Sequence, residues 1–301
     1  MKLNKRFVST CLALLLPLGA LLLACGDTGA PAGKDLAAPP APALSPGPLQ
    51  FLPDELAQRE QWESFLEKAE EVGSKQLIGP ESVTSPWVLT LKLGDVTHRA
   101  LWKNAEGRMG GYWEGWQYEI AAYRLDKLLG VGMVPPTVER RFDGDRGSCQ
   151  YWVDDTMRLG DKEDKRIKTP PAKVFGWNRA TYLERLFDNL IANEDRHANQ
   201  VLITKDWRMV LIDHSRSFRT SGKFIKSLLY SAKSPAGPML MSELPRSVFE
   251  KVKALDFAAI RSAVGAYLSD EEIHAVLIRR DLVLAEIDRL VKANGEDKVF
   301  Y

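Results

Sequence analysis

The residues of this 301-residue chain best suited to chemistry are two aspartates, Asp195 and Asp213. They lie in the run LFDNLIANEDRHANQVLI, residues 186–203, and the run LIDHSRSF, residues 211–218. Leu183, Leu186, Phe187, Leu190 and Ile191 form one apolar face, which predicts a buried helix over about Asn178–Asn193. That helix delivers a polar loop, Asn193–Gln200, onto two short apolar runs, Val201–Thr204 and Met209–Ile212, which read as a hairpin. A hairpin brings its ends together, so Asp195, Asp213 and an amide (Asn199 or Gln200) should converge at one edge. Phosphoryl transfer needs such a set: one carboxylate to orient the attacking hydroxyl, and a carboxylate plus an amide to hold the metal that neutralises the phosphates. Two other readings compete. The aspartates could only cap turns, or Asp195, His197, Asp213 and His214 could hold two metals in a metallohydrolase. We read His197 as bracing its loop and His214 as positioning Asp213.

The segment resembles the catalytic loop and metal-binding aspartate of the atypical kinases: phosphatidylinositol kinases, HipA-type bacterial kinases and the Golgi casein kinase of the secretory pathway. The resemblance extends upstream in the same order. Ala100-Leu-Trp-Lys103 stands where these kinases keep the strand lysine that binds the α- and β-phosphates. Tyr118-Glu119 opens a run, to Leu129, that looks like the helix whose glutamate pairs with that lysine. Val134-Pro-Pro-Thr137 is similar to the lead into the following strand. The resemblance implies ATP and Mg²⁺ (or Mn²⁺) in a cleft, with Asp195 as base and Asp213 with Asn199 or Gln200 as metal ligands. It also implies Lys103 as phosphate clamp and Glu119 as its orienter. Lys92, one strand earlier, competes with Lys103. Because Lys103 would lie at a cleft, its replacement is expected to spare folding. The sequence departs from the family where a metal-binding Asn normally lies five positions after the catalytic Asp: here Asn199 lies at four and Gln200 at five. No Gly-x-Gly-x-x-Gly loop precedes the first hairpin, where only Gly79, Ser82, Thr84 and Ser85 stand.

The elements that must position these residues follow from pattern. Asp54–Val72 reads as a helix, with Leu56, Trp62, Phe65, Leu66 and Ala69 as its stripe and Gly73 as its stop. Trp87–Leu93 and Thr97–Lys103 read as strands around a Gly94-Asp95 turn. Gly107–Trp113 reads as a loop, and about Glu114–Leu129 as a helix ended by Gly130. Val134–Phe142 and Ser148–Val153 read as a second hairpin. Trp102, Trp113 and Trp116 are expected in the core between sheet and helix. Helices are expected at about Ser247–Leu255, Phe257–Leu268 and Asp270–Ala293. Strands first and helices after predict an α+β fold with two kinase-like lobes. The N-terminal helix and small lobe occupy 51–153, and a helical large lobe with the catalytic loop occupies 154–301.

The N-terminus has a different character. Lys2, Lys5 and Arg6 precede an apolar run from Phe7 to Leu23, the layout of a secretory signal, 1–24. The run ends Leu22-Leu23-Ala24-Cys25-Gly26, which resembles the lipobox of bacterial lipoproteins. That resemblance makes Cys25 the lipidated first residue of an envelope protein. Gly26 rather than Asp27 after the cysteine points to the outer membrane. Residues 25–50 hold six prolines, six alanines and four glycines. They cannot bury enough surface to offset ordering entropy, and form a tether reaching at most ~80 Å in polyproline II form. The chain has 41 basic and 40 acidic residues, a formal charge of +1. Losing Lys2, Lys5 and Arg6 with the signal takes that to −2, so no basic excess calls for nucleic acid. The folded part keeps one cysteine, Cys149, which excludes an intradomain disulfide or a cysteine-rich zinc site. The partners expected are a nucleotide, a hydroxyl acceptor on protein or a small molecule, and the membrane through the anchor. The alternatives are a kinase-fold pseudokinase and a non-catalytic binding lipoprotein, since ATP is scarce outside the cytoplasm.

Overall fold

The computed structural model describes residues 51–77, 84–231 and 242–301. The expected signal, 1–24, and the expected tether, 25–50, with Cys25, lie outside them, as do Gly79 and Ser82.

The described residues begin with two short helices, α1 (Pro53–Leu56) and α2 (Arg59–Lys68). The edge strand β1 (Glu70–Gln76) follows at once. The expected single helix to Val72 is therefore corrected. Glu70, Glu71 and Lys75 are exposed, as befits an edge strand, and a bulge between Glu71 and Gly73 shifts the register against the next strand. The main sheet adds β2 (Trp87–Leu93), β3 (Val96–Lys103), β6 (Thr137–Phe142) and β7 (Asp145–Tyr151). Its order is β1-β2-β3-β7-β6, antiparallel throughout. The stretch expected as a loop is itself a hairpin, β4 (Glu106–Met109) and β5 (Tyr112–Gly115), turning at Gly110-Gly111. Helix α3 (Trp116–Leu129) follows and ends at Gly130, whose φ of 71° suits glycine.

The second part opens with β8 (Thr156–Arg158) and α4 (Leu159–Asp164). Helix α5 (Pro171–Ile191) then starts two turns earlier than expected, with Pro171 in its first turn. A 3₁₀ turn, Ala198–Gln200, leads into β9 (Val201–Thr204) and β10 (Met209–Leu211). These pair with β8 in a three-stranded sheet, β10-β9-β8. Helices α6 (Gly222–Lys226), α7 (Arg246–Ala254), α8 (Phe257–Val264), α9 (Asp270–Asn294) and α10 (Glu296–Val299) complete it.

Two apolar cores hold the architecture, and each borrows from the other lobe. The small core packs Trp62 and Phe65 of α2 on Leu89, Trp102 and Tyr151 of the sheet, and it includes Val210 of β10. The large core joins α5 and α7–α9, and it takes in Tyr118, Ala121, Ala122, Leu125 and Leu129 of α3. Asp126 of α3 is fully buried. Its carboxylate accepts from the N–H groups of Gly132, Met133 and Val134 and pairs with Arg59 of α2 at 3.1 Å. One side chain thus ties the N-terminal helix, α3 and the connection to β6. Burial pushes its pKa up against the pull of these bonds.

Candidate active site

The site is assembled where β3, α3, the 193–200 loop and the end of β10 meet. Arg99, Leu101 and Lys103 share one face of β3, while Ala100 and Trp102 turn into the small core. Strand β7 can run beside Lys103 because position 147 has no side chain. A Cβ on Gly147 would strike the Lys103 carbonyl and Trp102. Lys103 Nζ donates to Glu119 Oε1 at 2.8 Å and to Asp213 Oδ1 at 2.7 Å. Lys103 and Glu119 are buried, whereas the Asp213 side chain is 38% exposed. Lys92 is exposed on β2, opposite Thr97 and Glu70, away from this set.

Asp213 has a φ of 61°, an uncommon left-handed conformation that aspartate tolerates. The chain turns there so that the next N–H, of His214, donates to Glu119 Oε2 at 2.9 Å. Burial alone would raise the pKa of Glu119, but Lys103 and the bonds from His214 hold it well below the usual carboxylate range. Burial would likewise lower Lys103, yet Asp213 and Glu119 hold it above the ordinary lysine value. Lys103 is charged and Glu119 ionised.

Gln200, not Asn199, turns toward the aspartates. Gln200 is buried, and its Nε2 donates to Asp195 Oδ2 at 3.1 Å and approaches Asp213 Oδ2 at 3.5 Å. Its Oε1 is buried with no hydrogen-bond partner. Asn199 is exposed, and its Oδ1 lies against Gly160 of α4, where a Cβ would run into it. The 3₁₀ turn points these successive side chains apart.

The loop is stapled from beneath. Arg196 forks onto the buried Asp188 of α5 (2.8 and 3.1 Å) and donates to the carbonyls of Gln200 and Ile212. It also meets His214 Nε2 at 2.9 Å. A guanidinium only donates, so Nε2 accepts and the ring proton sits on Nδ1, 3.7 Å from Glu119 Oε2. His214 thus braces the site, and its Nε2 is engaged by Arg196. His197 accepts from the Asn199 N–H and braces the turn. Among the described residues no three His, Cys, Asp or Glu side chains converge as a metal cluster, so the four-residue metallohydrolase set is not assembled.

Sequence reasoning missed the arginines. Arg196 lies beside Asp195, but nothing in a loop spelling marks a buried staple. Arg216 donates to Asp195 Oδ1 at 3.0 Å and to the buried Glu114 of β5 at 2.6 Å. Trp113 is half exposed at the tip of the β4–β5 hairpin rather than in the core, while Trp102 and Trp116 are buried as expected. Cys149 is buried, and burial pushes its thiol up to about 12. Lys103 is buried rather than open at the cleft, so its replacement is expected to cost stability.

Beside this charged set a cavity of about 350 Å³ opens between the lobes. Leu101 and Gln150 line it from the sheet, Leu202 and Ile212 from the β9–β10 side, and Trp152 and Asp154 from the connection. It offers apolar walls beside the Lys103–Asp213 pair.

No protein-family model matches the sequence, and no curated protein sequence matches it. Solved structures do match. The structure of hydra Fam20 with sugar superposes with a TM-score of 0.59 at 15% identity, covering 81% of this chain and 92% of that one. The Golgi casein kinase with Mn/ADP bound gives 0.55 at 17% identity, covering 81% and 78%. The described part of this chain has a two-lobed, α+β, kinase-like fold.

Proposed function

We propose that the protein is a membrane-anchored atypical kinase that transfers the γ-phosphate of ATP to a hydroxyl acceptor, with protein the first acceptor class. The observation that carries this reading is the linked set Glu119–Lys103–Asp213–Gln200–Asp195, contiguous through hydrogen bonds of 2.7 to 3.5 Å. A divalent cation, Mg²⁺ or Mn²⁺, would neutralise phosphate charge that the two aspartates otherwise repel. Asp213 and Gln200 are the residues that would hold it. The unpartnered, buried Oε1 of Gln200 fits a ligand role, since turning the amide over would put an oxygen beside Asp213. Lys103, kept charged by Glu119, would bind phosphate oxygens. Asp195, fixed on both oxygens, would orient the acceptor hydroxyl. The base would lie against Leu101, Leu202 and Ile212. Support for the site's location is the lipobox-like spelling at Cys25 and the Pro/Ala tether, which would hold the domain at the envelope, at the outer membrane.

The test is calorimetry of the full chain in detergent with ATP, with and without Mg²⁺, followed by transfer of labelled γ-phosphate to dephosphorylated casein and to water. Wild type should bind ATP only with metal. Asp213→Ala should lose that binding. Asp195→Ala should keep it and lose roughly 10²–10⁴ in transfer, because a transition-state contact acts on turnover rather than ground-state binding. Metal-dependent binding without wild-type transfer would leave a pseudokinase. No nucleotide binding under any metal condition would sink the reading in favour of a binding lipoprotein.

A further inference from the structure

The residue that the proposed reaction leaves unassigned is Arg216, three positions beyond Asp213. Its guanidinium makes three contacts from three sides. Nε donates to Glu114 Oε1 at 2.6 Å, Nη1 donates to Asp195 Oδ1 at 3.0 Å, and the ring of Tyr112 lies 4.5 Å from Cζ. Glu114 is 2% exposed, and a carboxylate so buried is costly to keep ionised without a partner. Arg216 is the ion-pair partner it has among the described residues. Glu114 and Tyr112 alternate on β5, so both lie on the hairpin face turned toward Arg216.

The same hairpin is clasped twice more to the catalytic segments. Gly115 N–H donates to the Ser215 carbonyl at 3.0 Å. Arg219 donates to the Trp113 carbonyl at 2.6 Å and to Glu194, the neighbour of Asp195, at 2.8 Å. Asp195 itself is held on both oxygens, Oδ2 by Gln200 and Oδ1 by Arg216. A carboxylate gripped from two sides presents one fixed orientation, and a base misplaced by an ångström loses most of its effect.

We propose that Arg216 is a positioning residue for the transfer step, fixing Asp195 and making that fixation depend on the β4–β5 hairpin, whose Tyr112 ring packs on the same guanidinium. This rests on the phosphotransferase reading. Arg216 does not take part in binding nucleotide, because its contacts lie on the Asp195 side and Lys103 serves the other. A clip that served stability alone would leave turnover of the folded protein unchanged.

The experiment uses the full chain in detergent, with transfer to casein and to water as the activity. Arg216→Ala should lower kcat by roughly 100-fold while Mg²⁺–ATP affinity stays within about two-fold. Added guanidinium ion should restore part of the loss, and Arg216→Lys should retain more activity than Arg216→Ala. Glu114→Gln, which never touches Asp195, should give an intermediate loss. A second readout needs no nucleotide: amide hydrogen exchange in Arg216→Ala should quicken in both 106–115 and 193–200. Should Arg216→Ala unfold, Arg216→Lys and Glu114→Gln carry the test. Unchanged kcat with wild-type transfer intact, or unchanged exchange in 193–200, overturns the proposal alone. If wild type transfers nothing, the phosphotransferase reading falls, and the exchange result then decides only whether the clamp exists.

Discussion

Lys103→Met measures how far the site is a buried charge cluster rather than a surface ion pair. The Lys103 and Glu119 side chains are 8% and 3% exposed and meet at 2.8 Å. Asp213 keeps water, so loss of its partner costs little. Among the described residues Glu119 keeps the His214 N–H and ring beside it. Removing one member of a buried pair costs about 3–5 kcal/mol, which for a domain of this size lowers Tm by about 6–20 °C. The pH dependence also changes sign. In wild type the pKa of Glu119 is depressed, so its contribution is complete above the unfolded value and is lost as pH falls through the folded one. Lys103, held above its ordinary value, contributes below its unfolded pKa and loses that only at strongly alkaline pH. Without Lys103, burial dominates at Glu119 and raises its pKa above the unfolded value. The variant should then gain stability, relative to wild type, between about pH 7 and about pH 5. Thermal melts by circular dichroism at both pH values read the effect. A Lys103→Met/Glu119→Leu double variant should recover most of the loss, because an apolar pair leaves no stranded charge. A single variant melting within about 2 °C of wild type at pH 7 would refute the reasoning, since that is the scale of an exposed pair.

The remaining expectations are narrower. Gln200→Ala should raise the Mg²⁺ concentration needed for ATP binding by roughly ten-fold or more, as loss of a ligand does, whereas Asn199→Ala should leave it near wild type. Equal effects would return the ligand role to an open choice, and no effect of either would remove the loop as a metal site. Cys25→Ser should abolish labelling by a clickable fatty acid in cells and release the protein from membranes. Equal labelling of both forms would argue against the anchor.

Much of the site was legible because its logic is local. Asp195 to Asp213 spans one loop and one hairpin, and a hairpin forces its ends together whatever surrounds it. Lys103 was favoured over Lys92 only by likeness in order; alternation on β3 and the close pass of Gly147 are what set it in the cleft. Asn199 and Gln200 could not be separated from spelling, since the choice depends on which way a 3₁₀ turn rotates and on a glycine, Gly160, in another element. The Arg216–Glu114 pair bridges 102 positions, and a pair of that separation leaves no periodicity to read. The first turns of α5 escape the pattern because Val174 and Phe175 are exposed there, and Trp177, Ala180 and Tyr182, which do pack on the core, are only partly buried. The β4–β5 hairpin reads as a loop in the sequence because its strands are four residues each and Gly107, Gly110 and Gly111 dominate the stretch.

The exchange of core residues between the lobes limits how this molecule can move. Helix α3 carries Glu119, yet Tyr118, Ala121, Ala122, Leu125 and Leu129 are packed into the large core, and Val210 crosses the other way. Swinging the lobes apart would draw several fully buried side chains into water, at about 1.5–3 kcal/mol for each large one, which rivals the whole stability of a domain. Rigid opening is therefore nearly as costly as unfolding. Movement at the cleft is left to side chains at its mouth, where Arg99 bridges to Asp154. The two lobes should melt as a single transition, with α3 amides as slow to exchange as those of the C-terminal half of α5; fast exchange confined to α3 would show that the helix moves on its own.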